Sequence, residues 1–235
     1  MADRSRRVLV TGTDTMLGAA VQTAFEARGD RVVGVCQARG DACRLPPDAV
    51  VADFTDPGQI RSAVADAADL LAGLDTVVTA HALPVVGAVS DLDMTDFWEH
   101  VDSALTGTFL VAQAAAASIS GGGTPGRMVL TTSRWHVGGP GLSAVATAAG
   151  GVVALTKTLT RDLGPFGIGV NAVAVGCVDS EWSICDVAEP AAAVPAGRGT
   201  VAQVANLIEV LSRSSLGAAV GQIVNADGGR SRNRV

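Results

Sequence analysis

VTGTDTMLGAAV, residues 10–21, joins a short apolar run to an alanine-rich run through a turn that contains glycine. This pattern predicts a β-strand that turns tightly into an α-helix. Gly12 and Gly18 stand where missing side chains permit the tight turn and close packing of the helix on the strand. Met16 stands between them, at the position where a glycine would leave room for a phosphate at the helix N-terminus. The stretch therefore predicts a strand–turn–helix unit, and Met16 argues against tight binding of a dinucleotide.

The alternation of strand-like and helix-like runs continues along the whole chain. Val- and Ile-rich strand candidates suit a parallel sheet buried on both faces. We predict an α/β fold, a Rossmann-type doubly wound, seven-stranded, mostly parallel sheet flanked by helices, in a single domain over residues 1–235. Residues 37–48 are too few for an ordinary crossover helix and predict a loop. The predicted strands are 7–11, 31–36, 49–53, 75–80, 126–132, 168–175 and 221–226, and the predicted helices are 15–28, 57–72, 94–118, 143–164 and 200–213.

The amino-acid composition limits the classes of protein to which this chain can belong. Apolar residues make up 48% of the 235 residues and aromatic residues only 3%, so the core must consist of Ala, Val and Leu. The net charge of −6 argues against nucleic acid or an anionic membrane as a partner. No apolar run reaches about 18 residues and no secretion signal is visible, which predicts a cytoplasmic protein. The cysteines have no metal-ligand spacing, so free thiols and no metal are expected; they are Cys36, Cys43, Cys177 and Cys185.

Several segments resemble the short-chain dehydrogenase/reductase family, and the ketoacyl reductases in particular. TGTDTMLG lies where that family has TGxxxGxG, and VVTAHAL lies where it has NNAG. LTGTFLVAQAA is similar to its central helix, and MVLTTS to the strand that ends in the active-site Ser. GIGVNAVAVGCVDS and GQIVNADGG are similar to its last segments. The resemblance covers nearly the whole chain, and it implies the fold predicted above.

The resemblance also implies a catalytic Ser, Tyr, Lys and Asn, of which this chain keeps only the Ser, as Ser133. The chain contains no Tyr, and Lys157 is its only Lys. In register with the family pattern, the Tyr position falls on Val145, the Lys position on Ala149 and the Asn position on Ala104. General acid–base catalysis requires a titratable group beside the reacting oxygen. We therefore expect that the usual Ser–Tyr–Lys mechanism is lost.

The resemblance implies cofactor residues that are kept only in part. His81 replaces the small Ala of NNAG, which argues against a dinucleotide, so we expect no bound cofactor. If a dinucleotide does bind, Arg39 favours NADP(H) over NAD(H) through its 2′-phosphate. The residues that would then contact it are Gly12 and Gly18 at the phosphate turn, Arg39, Asp53 at the adenine and Ser180 at the carboxamide.

The candidates for other chemistry are Ser133, His136 and His81, which follow predicted strands. Ligands of doubly wound sheets bind beyond the carboxyl ends of the strands. The alternative is that His136 lies on a solvated loop and that His81 fills space vacated by a cofactor. The segment 179–194 is shorter than the family's substrate loop and predicts a reduced lid.

Three functions follow as hypotheses. The first is a non-redox pseudoenzyme that acts as a partner, scaffold or ligand-binding protein in a biosynthetic pathway. The second is a repurposed non-redox enzyme for a cyclisation or dehydration. The third is an atypical NADP(H)-dependent ketoreductase without the Tyr–Lys pair. A small-molecule ligand fits all three. Small-residue faces on helices 94–118 and 143–164 predict a homo-oligomer, dimer or tetramer, or a hetero-oligomer with an active family member, unless these faces only pack on their own sheet.

Overall fold

The structure, a computed structural model, describes residues 5–37, 50–121, 125–186 and 198–231. Seven parallel strands form one sheet in the order β3-β2-β1-β4-β5-β6-β9, which confirms the predicted doubly wound fold. A short pair, β7 and β8, lies apart from this sheet. The strands are β1 (Arg7–Thr11), β2 (Arg31–Gln37), β3 (Val50–Ala52), β4 (Thr76–Thr79), β5 (Gly126–Ser133), β6 (Ile168–Val175), β7 (Val178–Asp179), β8 (Gly199–Thr200) and β9 (Ile223–Ala226).

Helices cover both faces of the sheet and bury separate apolar layers. One layer joins α2, α4 and α5 to strand residues such as Leu9, and the other joins α1 and α6 to residues such as Val8 and Val10. Alternate residues of one strand thus face opposite helices, as the period of a strand requires. The helices are α1 (Met16–Glu26), α2 (Pro57–Leu71), α3 (Met94–Val101), α4 (Thr108–Gly121), α5 (Ser143–Leu163) and α6 (Val201–Leu211).

A π-helical segment, Asp102–Gly107, joins α3 to α4 within the predicted helix 94–118. By length and composition alone, the stretch Met94–Ser120 could cross a membrane. An apolar helix that packs on a sheet has the same properties, and α4 packs against α2 and β4.

Two predicted segments fall partly outside the described residues. The predicted loop 37–48 is described only at Gln37, where β2 ends. The predicted lid 179–194 is described as far as Asp186, and its first part forms a 3₁₀-helical segment, Glu181–Asp186. We call Glu181–Asp186 the lid segment.

Candidate functional site

The turn after β1 has no room for side chains at its two glycines. Gly12 has φ +75°, and a Cβ there would lie 2.3 Å from the Cα of His81. A Cβ on Gly18 would strike the carbonyl of Gly12, so that helix α1 could not pack against the turn. The Thr15 hydroxyl caps α1 by accepting a hydrogen bond from the Gly18 amide at 3.0 Å. The turn therefore has the tight geometry that the sequence predicted for it.

A carboxylate lies against the first amide of α1. The Met16 N–H donates to Oε1 of Glu181, in the lid segment, over 2.8 Å. The second oxygen of this carboxylate, Oε2, is buried and has no hydrogen-bond partner among the described residues. A helix N-terminus attracts anionic oxygens through its free N–H groups and its dipole. The N-terminus of α1 thus holds an anionic oxygen, which Glu181 supplies. The Met16 side chain is half exposed.

His81 lies wholly inside the protein. Its Nε2–H donates to the Ser103 carbonyl at 2.9 Å, and its Nδ1 accepts from the Thr11 hydroxyl at 2.7 Å. Its ring stacks on Phe54 with a centroid separation of 3.9 Å. Burial lowers the pKa of His81 to about 4. Both ring nitrogens are used by the protein, so the geometry gives His81 a structural role and leaves no nitrogen for a substrate.

Ser133 is the last residue of β5 and His136 follows three residues later, and the polar atoms of both contact the backbone. The Ser133 hydroxyl accepts from the Trp135 amide at 3.2 Å and caps the 3₁₀ helix Arg134–Val137. Nδ1 of His136 lies 3.0 Å from the Ser133 carbonyl. Ser133 is buried and His136 is half-buried. The structure brings Ser133 and His136 together, and neither makes a hydrogen bond to His81 among the described residues.

The positions assigned to Tyr, Lys and Asn are filled by apolar side chains. Val145 packs in an apolar cluster with Trp135, Leu142 and Cys185, against Trp182. Ala104 and Ala149 line a cavity of about 20 Å³. That volume is close to what a single water molecule needs and excludes a nicotinamide ring. The other residues around this cavity are Leu17, Ala82, His100, Thr131, Thr132, Ala148, Val152, Val175 and Trp182.

A buried ion pair fixes the lid segment over this cavity. Nε of Arg134 lies 3.0 Å from Oδ1 of Asp186, and both side chains are about 5% exposed. The other oxygen of Asp186 accepts from the Cys177 amide at 2.8 Å. The Arg134 guanidinium also stacks over the Trp135 ring at 3.9 Å. The loops that follow β5 and β6 are therefore held together through Asp186.

His100 is a candidate that the sequence reasoning missed. It lies at the end of α3, nearly buried, with Nδ1 2.9 Å from the Leu83 carbonyl. Its ring approaches Trp182 edge-on at 6.5 Å. It lines both the 20 Å³ cavity and a second, more open cleft of about 390 Å³. The signal in the sequence was its place one helical turn before Ala104, which puts both residues on one face.

The remaining cofactor candidates are placed as follows. Asp53 lines the 390 Å³ cleft, and its carboxylate accepts from the Thr55 amide, the Thr55 hydroxyl and the Gln37 side chain. The Thr55 amide is the main reason that the pKa of Asp53 is lowered. The Ser180 hydroxyl accepts from the Trp182 amide at 3.3 Å. Arg39 lies outside the described residues.

Comparison with known proteins places this architecture in a family. A family profile described as enoyl-(acyl carrier protein) reductase matches residues 13–231, almost the whole chain. The chain belongs to the short-chain dehydrogenase/reductase family. The resemblance drawn from the sequence motifs is thereby confirmed at the level of the family.

Relatives of this short-chain dehydrogenase/reductase match it over nearly its full length. The (2S)-[(R)-hydroxy(phenyl)methyl]succinyl-CoA dehydrogenase subunit BbsD of Thauera aromatica is 28% identical, over 98% of this chain and 88% of its own length. A 3-oxoacyl-[acyl-carrier-protein] reductase of Synechocystis is 30% identical, over 94% of this chain and 95% of its own. A short-chain type dehydrogenase/reductase structure from Mycobacterium marinum superposes with a TM-score of 0.84 at 26% identity, covering 97% of this chain and 96% of that one.

These relatives contradict the first of the three functional hypotheses. A dehydrogenase subunit and a reductase, each aligned over almost all of this chain, point to an oxidoreductase. The prediction of a non-redox pseudoenzyme is therefore wrong. It followed from the apolar residues at the positions that the resemblance assigns to Tyr, Lys and Asn. Missing residues alone do not establish that a family reaction is absent.

Proposed function

We propose that this protein is an NADP(H)-dependent oxidoreductase that interconverts a hydroxyl and a carbonyl group on an acyl substrate. The observation that carries the proposal is the contact between the Met16 amide and a carboxylate oxygen at 2.8 Å. It marks the N-terminus of α1, beside the Gly12 turn, as a site that binds anionic oxygen. A dinucleotide pyrophosphate has the same chemistry as the Glu181 carboxylate at that point.

The relatives support the substrate class. The name of one describes a hydroxyl-bearing acyl-CoA, and the name of the other a 3-oxoacyl group on a carrier protein. A 3-hydroxyacyl or 3-oxoacyl thioester is therefore the substrate class that we propose. The preference for NADP(H) over NAD(H) rests on Arg39, whose guanidinium can pair with a 2′-phosphate.

The reaction must proceed without the Tyr–Lys pair, since Val145 and Ala149 occupy those positions in our proposal. When bound, the nicotinamide supplies or accepts the hydride. Neither Val145 nor Ala149 can move a proton at the substrate oxygen, because neither side chain carries a titratable group. The proton must come from another group on the wall of the cavity or from water.

The residues of this chain fit the phosphate end of a dinucleotide, but they leave no space for its nicotinamide end. The phosphate end fits, because the glycine turn and the α1 amide are in place. The nicotinamide end is closed, because the cavity between Ala104 and Ala149 measures only about 20 Å³. Both obstacles belong to the lid segment: Glu181 covers the α1 amide and Trp182 lines the cavity. Binding therefore requires the lid segment to move away from α1 and α3.

Titration of the protein with NADPH and with NADH, by nucleotide fluorescence or calorimetry, tests the proposal. We expect NADPH to bind, and Glu181→Gln to bind it about two- to fivefold more tightly because a charged competitor leaves the helix N-terminus. Glu26→Gln is the matched control. It removes the same charge from an exposed position at the other end of α1 and should leave the affinity unchanged.

The titration results test the oxidoreductase function, the role of Glu181 and the cofactor preference separately. Absence of NADPH and NADH binding in both the wild type and Glu181→Gln would refute the oxidoreductase. Equal affinity of the two variants would show that Glu181 does not compete with the phosphates. Tighter binding of NADH than of NADPH would overturn the cofactor preference.

A further inference from the structure

The loop that contains the lid segment is held at both of its ends. At its start, β7 pairs with β8, and the Gly199 amide donates to the Cys177 carbonyl at 2.9 Å. At its end, Asp186 is buried and accepts from the Arg134 guanidinium and the Cys177 amide. Residues 180–184, between these anchors, are half-buried or exposed. We call residues 180–184 the lid turn, since they can move without breaking either anchor.

Hydrogen bonds within the lid turn join its residues into one unit. The Trp182 amide donates to the Ser180 hydroxyl at 3.3 Å, and the Ser183 amide donates to the Ser180 carbonyl at 3.0 Å. These two bonds close the backbone around Glu181 and Trp182, which are adjacent in the chain. A displacement of the Glu181 side chain from its contact is therefore transmitted to Trp182.

Glu181 and Trp182 hold the lid turn against two neighbouring parts of the protein. The Glu181 carboxylate accepts from the Met16 amide at 2.8 Å. Trp182 lines the cavity of about 20 Å³, and so does Leu17, the residue after Met16. Trp182 also packs on a cluster of buried apolar residues, Trp135, Leu142, Val145 and Cys185. The same turn thus covers the anion-binding amide, the cavity and the apolar cluster.

The hold of Glu181 on α1 is incomplete. Its Oε1 has the Met16 amide as a donor, while Oε2 is buried and has no hydrogen-bond partner among the described residues. A buried carboxylate oxygen without a donor is costly, because it has lost water and gained nothing in exchange. On release, both oxygens of Glu181 regain water. A phosphate group at the same amide brings more negative charge and more oxygens than the carboxylate does, so it can displace Glu181.

We propose that Glu181 is an internal competitor that keeps the lid turn closed, and that a phosphate group at the N-terminus of α1 opens it. The inference rests on the proposed function for the identity of the two ligands, a dinucleotide and an acyl thioester. When the pyrophosphate displaces Glu181, the lid turn carries Trp182 away from the cavity. The apolar cluster that Trp182 covered then offers its surface to the acyl group. The small size of the cavity is thus a property of the closed state.

This arrangement couples the two ligands. A closed state that excludes the acyl group lowers its apparent affinity in proportion to the fraction of open molecules. Minor states of this kind are typically populated at about 0.1–10%. Pyrophosphate should therefore tighten the binding of an acyl thioester by about tenfold or more. The thioester should tighten the binding of pyrophosphate by the same factor, because coupling between two sites is reciprocal.

The fluorescence of Trp182 tests the movement directly, with inorganic pyrophosphate as the probe. Trp98 is exposed and Trp135 is buried, so acrylamide quenching in Trp98→Phe reports mainly on Trp182. We expect pyrophosphate to increase the quenching and to shift the emission to the red, whereas sodium chloride of equal ionic strength should do neither.

Glu181→Ala in the same background removes the internal competitor. We expect Trp182 to be quenched strongly in this variant without pyrophosphate, and pyrophosphate to add little. Glu26→Ala is the matched control, since it removes an exposed Glu from the other end of α1 and should keep the full response to pyrophosphate.

Calorimetry with 3-oxobutyryl-N-acetylcysteamine tests the coupling. This probe carries a 3-oxoacyl thioester without the phosphates of coenzyme A, which could themselves reach α1. Pyrophosphate should tighten its binding to the wild type about tenfold or more. Glu181→Ala should bind the probe with the tighter affinity whether or not pyrophosphate is present.

These results are distinguishable from those that decide the proposed function. Quenching of Trp182 that does not respond to pyrophosphate overturns the inference, and so does Glu181→Ala with Trp182 as protected as in its parent. A thioester affinity that pyrophosphate does not change overturns the coupling. Neither result affects the oxidoreductase, because neither experiment uses a dinucleotide. Absence of NADPH and NADH binding refutes the oxidoreductase, and a Trp182 that responds to pyrophosphate would still support the internal competitor.

Discussion

At the scale of single residues, Asp186 is a buried carboxylate that three donors contact. Its side chain is buried, and its two oxygens accept from the Arg134 guanidinium, the Trp135 indole and the Cys177 amide. Cys177 has a φ of +52°, a backbone conformation that residues other than glycine rarely adopt. A buried carboxylate is tolerated only when its charge and its lone pairs are matched. Asp186 thus couples the position of the lid segment to the ends of β5 and β6.

Removal of Arg134 should be costly for this reason. Arg134→Met keeps much of the side-chain volume but leaves the Asp186 carboxylate buried without its cation, and we expect a loss of about 3–5 kcal/mol in the free energy of unfolding. The control is Arg198→Met, which breaks an exposed ion pair with Asp179 of similar distance. An exposed pair contributes about 0–1 kcal/mol. Urea denaturation measures both, and equal losses would contradict the account.

The two histidines near the cavity show how far residue types alone can identify a site. His81 interrupts a recognisable motif. Thr11 and Ser103 form hydrogen bonds with its two ring nitrogens, and Phe54 stacks on its ring. His100 lies in an unremarkable helical run and keeps one nitrogen open. Which nitrogen is free depends on carbonyls, such as that of Leu83, that lie elsewhere in the chain. The sequence shows that a His is present and cannot show what its ring contacts.

Among the elements, α2 follows its sequence signals almost completely. Pro57 is its first residue, where the predicted helix 57–72 begins. Asp56 caps it by accepting from the amides of Gly58 and Gln59. Its end differs by one residue. Ala72 adopts the left-handed conformation at φ 57°, ahead of Gly73 at φ 109°. An Ala in that conformation is strained by roughly 1 kcal/mol.

Ala72→Gly should therefore stabilise the protein, by about 0.5–1 kcal/mol, because glycine adopts a positive φ without strain. Ala65→Gly is the matched control, since it makes the same substitution at an exposed position in the middle of α2. There, glycine should cost about 1 kcal/mol through its poor helix propensity. Thermal unfolding gives the sign of each change, and destabilisation by both would refute the strain at Ala72.

The helix predicted over 94–118 illustrates what local pattern cannot supply. It forms, but residues Asp102–Gly107 are π-helical. A Cβ on Gly107 would lie 2.6 Å from the Phe54 carbonyl, so the helix passes very close to another segment there. The wider π turn contains Ala104, and π segments often accompany functional sites. No proline or glycine pair marks the change in advance, because it depends on packing between distant segments.

At the scale of the whole molecule, the order of elements and all seven strands of the main sheet follow from the sequence pattern. Apolar runs indicate which segments are strands, and the helices that connect most of them indicate that the strands are parallel. The sequence pattern does not show in the same way which side chain contacts the N-terminus of α1. Met16 and Glu181 are 165 residues apart, and their contact depends on how the lid segment folds back across the sheet. Contacts of this kind follow from the complete fold and not from any local motif.

The residues just before β1 and helix α6 are joined through one buried carboxylate. Glu209, in α6, lies 2.7 Å from Arg6, just before β1, and 2.6 Å from Arg213. Arg6 in turn pairs with Asp30 at 2.6 Å. Burial alone would raise the pKa of Glu209, but the hydrogen bonds from Arg213 and Arg6 outweigh it and hold the pKa below its usual value. The folded protein therefore binds the Glu209 proton more weakly than the unfolded chain does.

This difference predicts how stability depends on pH. A lowered folded-state pKa stabilises the protein fully above the unfolded-state pKa, about 4.3 for Glu, and this contribution is lost as the pH falls through the folded-state pKa. Glu209→Gln should lower the free energy of unfolding at pH 7 by about 1.5–3 kcal/mol and flatten its decline between about pH 5 and pH 3. Glu26→Gln, which removes an exposed Glu from the end of α1, is the control. Urea denaturation across this range measures both slopes, and an unchanged slope in Glu209→Gln would show that the acid sensitivity of the molecule resides in other carboxylates.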